Sequence, residues 1–243
     1  MISSIFHTVV YTPLYNALVY LVSLVPNHDI GIAIILLTII VRILLFPLAR
    51  KAIEAQIIMK KITPLVTAIR DQYKDDKQGE TKAILALYKE HHVNPFASFG
   101  VVLLQLPILL GLYFVFARAG FPTINTALLY SFVTTPPVVN MEFLGLWNMA
   151  HNHNIILAVL AGVTQFTYTR LSMGPRGVKT ATEASLSDDM AKSFDAQARF
   201  VLPLIIGIAG YTLVSAAALY YTASNLCMVA QEYLSGRRFT NVV

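Results

Sequence analysis

The sequence predicts an all-α membrane protein: a five-transmembrane-helix core with a cytoplasmic helical hairpin and an N-terminal interfacial helix. Three observations carry that reading. Apolar residues make up 56% of the 243 residues and charged ones only 13%, where a globular chain carries about a quarter charged. The mean hydropathy is +0.62. The apolar residues also gather into runs close to the roughly 20 that cross a bilayer as a helix. A secreted disulfide scaffold is excluded because Cys227 is the single cysteine. The net charge of +5 is no nucleic-acid footprint, since the basic residues lie between apolar runs.

Residues 1–28 contain no Lys or Arg and so lack the basic start of a secretory signal. Phe6, Val10, Leu14, Leu18 and Leu21 recur at helical spacing, with His7, Tyr11, Tyr15 and Asn16 between them. That pattern fits an amphipathic helix lying on the outer face; a sixth span is the alternative. Residues 29–243 then form the core. Its spans are expected at about 30–48, 96–117, 154–171, 198–213 and 215–234. The last two come from one apolar stretch, Phe200 to Leu234, of about 35 residues, too long for a single crossing. Gly207, Gly210 and the Thr212–Ser215 region offer the turn.

Lysines and arginines fix the direction. They crowd residues 49–94, recur between Ser172 and Arg199, and end in Arg237 and Arg238, whereas Arg118 stands alone between the second and third spans. By the positive-inside rule the segment 49–93, the loop 172–197 and the C-terminus are cytoplasmic, and the N-terminus is outside. Within 49–93, Ile58, Ile62, Leu65 and Ile69 form one stripe and Ile84, Leu87, Tyr88 and His91 a second, separated by the turn residues Asp75, Asp76, Gln78 and Gly79. Two antiparallel helices are expected, the first kinked at Pro64. Asn94 and Pro95 read as the cap and first turn of the second span.

Arg42 is the most informative residue. It interrupts the apolar run Ile34–Leu48, where a guanidinium costs at least about 2.5–3.5 kcal/mol on insertion scales. No Asp or Glu lies inside the expected spans before Glu232, near the cytoplasmic end of the last one, so an ion pair at mid-depth is not on offer. Either Arg42 snorkels to the cytoplasmic headgroups, about 12 Å away along the helix at the level of Arg50, or it faces a wet cavity between helices. Thr38 lies on the same helical face. Gln105, Gln165, Ser215, Ser224 and Asn225 add polar side chains to other spans. No Gly-rich phosphate loop or His-Glu metal motif occurs, and His91-His92 and His151-Asn152-His153 lack a third metal ligand. No cofactor, metal or catalysis is expected.

Along the chain, Thr38 with Ile40-Val41-Arg42 and Pro47-Leu48 comes first, then Asp75-Asp76-Lys77-Gln78, Leu87-Tyr88-Lys89 and Val93-Asn94-Pro95. These are followed by Gln105-Leu106-Pro107, Leu112-Tyr113, Gly162-Val163-Thr164-Gln165, Leu219-Tyr220-Tyr221 and Ser224-Asn225-Leu226. In order and spacing this series resembles the YidC/Oxa family of membrane protein insertases, from about Gly31 to Leu234. The resemblance implies a non-enzymatic insertase of the plasma membrane that moves nascent membrane proteins from the cytoplasm into the lipid bilayer. It implies a hydrophilic groove carrying Arg42, Thr38, Gln105, Gln165, Ser215, Tyr220 and Asn225, and a hairpin that helps recruit substrate. The Sec translocon and the ribosome are possible partners. Val101 and Val214-Ser215-Ala216 depart from prolines common in the family, and after Leu234 only Arg237 and Arg238 are basic, which is little for ribosome docking. A small-solute transporter or channel using the same polar cavity is the rival reading; against it, the sequence shows no internal repeat.

Overall fold

The computed structural model describes residues 5–74, 76–92, 108, 110–116, 121–173 and 196–236. The helices are α1 (Thr12–Leu24), α2 (Ile30–Gln72), α3 (Lys77–Glu90), α4 (110–116), α5 (Ile155–Met173), α6 (Leu202–Thr212) and α7 (Ser215–Leu234). A π-helical turn precedes α1 at His7–Tyr11 and another precedes α6 at Gln197–Val201. Each runs into a proline, Pro13 or Pro203. A proline has no N–H for the helical ladder, and the widened turn before it takes up the mismatch. Among the described residues two helices are long and apolar enough to cross a membrane, α2 and α5, and the shorter Gln197–Thr212 segment is also apolar. α7 has the length, with 20 residues, but Ser224, Asn225, Gln231 and Glu232 dilute its apolar character. Gln105, the Asn94-Pro95 cap, most of the second expected span and most of the 172–197 loop lie outside the described residues.

The chain forms two units, residues 1–44 with 107–243, and residues 45–106. In the first, α1 is not a detached element. Its Tyr15, Leu18, Val19 and Val22 are fully enclosed and share one apolar core with Ile30, Ala33 and Ile34 of α2 and with Leu219 of α7. Its other side exposes Tyr20 and Leu24.

Residues 121–153 are more than a connection between spans. They lace together the ends of four helices. Asn16 of α1 donates to the Leu128 carbonyl at 2.8 Å and accepts from the Tyr130 N–H at 2.6 Å. The Ser215 N–H and hydroxyl at the start of α7 both donate to the His151 carbonyl, at 2.8 and 2.7 Å. The His153 N–H donates to Tyr211 near the end of α6 at 2.9 Å. At α2 the lacing is done by Asp29. Its Oδ1 accepts from the N–H groups of Gly31 and Ile32 at 2.8 and 3.1 Å, as an N-cap does, and its Oδ2 accepts from the Leu144 N–H at 2.8 Å. Leu144 belongs to the tight hairpin between β1 (Glu142–Phe143) and β2 (Trp147–Asn148).

α5 and α6 approach until their backbones touch. A Cβ on Gly162 would stand 3.3 Å from the Pro203 carbonyl, and one on Gly210 would stand 3.3 Å from the Ala158 Cα. Small residues that let helix backbones close in are the usual basis of packing where lipid removes the hydrophobic drive between helices.

The second unit carries the later part of α2 and α3. Asp76 caps α3, accepting from the N–H groups of Gln78 and Gly79 at 3.1 and 2.9 Å. Glu80 pairs with Lys77 at 2.7 Å and with Arg70 of α2 at 3.7 Å. Of the expected stripe of α2, Ile62 is enclosed and Ile58 and Ile69 are half-buried, whereas Leu65 is exposed and its neighbour Val66 is enclosed in its place. The spacing is helical in both cases, and the two faces differ by one residue at this turn. α2 continues through Pro64.

Asp29→Ala leaves three N–H groups without their acceptor and should lower the unfolding free energy by about 1–3 kcal/mol. Asp29→Asn, which keeps one carbonyl oxygen, should cost less. Thermal unfolding in detergent, followed by circular dichroism, reads both; equal midpoints for all three proteins would show that the cap is not holding the loop.

Candidate functional site

Arg42 lies in the first unit with 7% of its surface exposed. Its backbone and its side chain are held by the same partner helix at two heights. Gln231 of α7 donates its amide to the Arg42 carbonyl at 2.9 Å. The Arg42 guanidinium donates to the Ser224 hydroxyl, two turns nearer the start of α7. The start of α7 and the start of α2 are tied to the same loop, through His151 and Asp29. The guanidinium therefore reaches back toward the N-terminal ends of both helices, the direction in which helical Cβ bonds tilt, and not onward to their C-terminal ends.

Thr38, one turn before Arg42, is buried and returns its hydroxyl to the Ile34 carbonyl at 2.7 Å, so it presents its methyl group and a spent hydroxyl. Thr38, Arg42, Leu37, Val41, Ile108, Leu112 and Tyr220 line a cleft too narrow to hold a water molecule. On the next residue of α7, Asn225, the polar contacts turn to α5. Its amide donates to the Thr164 hydroxyl at 3.3 Å, and beside Thr164 the Gln165 amide donates to Thr169 at 3.2 Å. α7 thus carries a polar seam between α2 on one side and α5 on the other. Asn225 is completely enclosed, and its Oδ1 has no hydrogen-bond partner among the described residues.

Of the residues picked from the sequence, Arg42, Thr38 and Tyr220 share the cleft, and Asn225 and Gln165 follow on the seam. Ser215 is placed elsewhere: it starts α7 and is bonded to the loop at His151. Gln105 lies outside the described residues. The sequence does not single out Gln231, names Thr164 only within the Gly162-Val163-Thr164-Gln165 motif, and places Glu232 near the cytoplasmic end of the last expected span. Glu232 is 1% exposed and sits one residue from the side chain that holds the Arg42 backbone. The available signal was a spacing of seven: Ser224 and Gln231 are two turns apart and face the same neighbour, as are Asn225 and Glu232.

A larger cavity of about 220 Å³ opens between α4, α5, α6 and α7. Its lining is apolar apart from tyrosine hydroxyls, and it shares Leu112 and Tyr220 with the Arg42 cleft.

Residues 21–241 match the 60Kd inner membrane protein family. The chain belongs to this family, which is the YidC/Oxa family. It is similar to a membrane protein insertase YidC of Clostridium tetani, 32% identical over 210 residues that span 86% of this chain and 83% of the relative. A membrane protein insertase YidC of Fusobacterium nucleatum is 29% identical over 226 residues, 92% of this chain and 95% of the relative. Against a membrane protein insertase YidC of Pelobacter propionicus the identity is 41%, over 106 residues that are 44% of this chain and 19% of that longer one. The YidC/Oxa family is one of non-enzymatic insertases of the membrane.

Asn225→Leu removes an enclosed oxygen that lacks a partner and leaves the Thr164 hydroxyl donating to the Leu160 carbonyl at 2.8 Å. The unfolding free energy should rise by about 1 kcal/mol, read as a higher melting midpoint in detergent. A lower midpoint would mean that the oxygen is satisfied in the folded protein.

Proposed function

We propose that this YidC/Oxa-family protein inserts nascent membrane proteins from the cytoplasm into the bilayer, by a groove that Arg42 keeps polar. The reading includes the five-span core, with residues 1–28 on the outer face, the N-terminus outside, the 49–93 hairpin and the C-terminus in the cytoplasm. In that orientation the C-terminal ends of α2 and α7 are the cytoplasmic ends.

The observation that carries the proposal is the course of the Arg42 side chain. A snorkelling arginine would run toward the nearer headgroups, onward along α2 to the level of Arg50. This one turns the other way, to Ser224. A guanidinium held at that depth gives a short polar or acidic flank a favourable place to pause while it crosses. The neighbouring apolar cavity offers the following hydrophobic segment a surface to leave water by. Burial of that segment in lipid supplies the drive, and the membrane potential adds about 2.3 kcal/mol per charge for each 100 mV. Thr38, Tyr220, Asn225 and Gln165 line the path; Gln105 and Ser215 belong to it on the sequence pattern alone. The hairpin would meet substrate first, and the Sec translocon and ribosome are the partners to test there.

Arg42→Ala should slow insertion of an acid-flanked substrate into reconstituted vesicles by about tenfold, the equivalent of a single charge-assisted contact. A substrate with a neutral flank should be affected less, and Arg42→Lys should retain part of the activity. Equal loss for both substrates would sink the electrostatic role.

A further inference from the structure

The larger cavity is too small for what the groove is proposed to carry. A crossing helix of about 20 residues, roughly 30 Å long and 10 Å across, fills on the order of 2,400 Å³. The cavity has about 220 Å³, about half of one turn of such a helix. It is also unsuited to water: a stable buried water needs two to four polar partners, and apart from tyrosine hydroxyls the walls, with Leu112, Phe116, Ala161, Gly210 and Ala217, provide none. Its rim is formed by Leu110, Tyr113 and Leu213, all of them exposed. In a protein surrounded by lipid, exposed apolar side chains mark the face that acyl chains touch. The space therefore opens on lipid, is walled by hydrocarbon, and at about 220 Å³ has room for part of an extended chain but not for a helix.

We infer that the cavity between α4, α5, α6 and α7 is a binding site for one acyl chain of a bilayer phospholipid. The chain occupies the apolar half of the groove at rest and withdraws to the bilayer when a nascent segment enters. The site rests on the cavity and its rim; only the withdrawal step rests on the insertase reading above. Leu112 and Tyr220, which separate this space from Arg42, place the end of the chain next to the polar cleft. Departure of the chain exposes both halves of the path together.

Native mass spectrometry of the full chain, purified in mild detergent after incubation with a defined phosphatidylglycerol and phosphatidylethanolamine mixture, tests the site. The wild-type protein should retain one phospholipid through stepwise delipidation. Ala217→Phe and Ala209→Phe each place a ring in the cavity from a different helix, and each should lower that retained fraction by about tenfold, as expected when a few methylenes lose their burial. Ile208→Phe, on the exposed side of α6, should leave retention unchanged, and so should Arg42→Ala. Melting midpoints identify any variant that does not fold, and the remaining filled variant then decides. Retention that survives the filled cavity, equal loss with Ile208→Phe, or displacement by an apolar peptide but not by added phospholipid would overturn the assignment. Failure of Arg42→Ala to affect insertion, with retention behaving as described, would overturn the insertase mechanism and leave the lipid site standing.

Discussion

Enclosing a guanidinium among aliphatic side chains is the constraint on which the rest of this protein turns. A buried charge is tolerated only where polar groups are arranged around it, and among the described residues α7 supplies one to Arg42. Ser224 takes its side chain, and Gln231 holds its backbone carbonyl. This requirement explains the composition of α7. A helix with serine, asparagine, glutamine and glutamate along its length is a poor candidate for crossing a membrane on its own, and α7 earns its place by what it offers α2. The seam that begins at Arg42 continues through Asn225 to Thr164, so the same helix ties α5 to the arginine. Meeting these contacts requires α2 and α7 to be aligned to within a fraction of a turn.

That alignment is set at the other end of the helices. Asp29 fixes the start of α2 and His151 the start of α7, both through the 121–153 loop. From these anchors both helices reach the level of Arg42, where Ser224 and Gln231 meet it. α1 packs over the same end with Tyr15 and Leu18 enclosed, which makes it a wall of the core as well as a candidate surface element. A rigid end and a polar seam farther down are complementary: the loop supplies register, and the seam uses it.

Much of this could be read from the residues, and the failures have a common cause. Apolar run length separates helix-forming stretches from connections, because it reports a property of one segment at a time. Arg42 stood out because a charge among isoleucines is a local anomaly. The break between α6 and α7 falls at Leu213 and Val214, where the small and hydroxylated residues cluster. Partners across helices were not legible. Gln231 looked like part of a cytoplasmic helix end, and nothing in its neighbours indicates that its amide reaches a carbonyl on α2. Ser215 looked like a groove residue because it is polar and in an apolar run, yet polar residues at the first position of a helix also serve its cap and its loop. Ile62 is enclosed as its period predicts, but the next enclosed residue is Val66 and not Leu65. Period identifies that a helix has an apolar face, but neighbours decide which face is covered.

The polar seam and the apolar cavity are one design problem with two solutions side by side. Filling the whole space between the helices would give a more stable bundle, since close packing is favourable and an enclosed oxygen such as Asn225 Oδ1 is not. This bundle is packed as tightly as backbones allow between α5 and α6, where Gly162 meets Pro203. It is left open one helix away, where Leu112 and Tyr220 divide hydrocarbon from guanidinium. Tight packing thus lies beside the gap and not across it. Local departures from good packing that are bordered by good packing are where function is expected. A path that must accept a polar flank and an apolar segment in succession needs two such departures in contact, and Tyr220, with one wall in each, is where they meet.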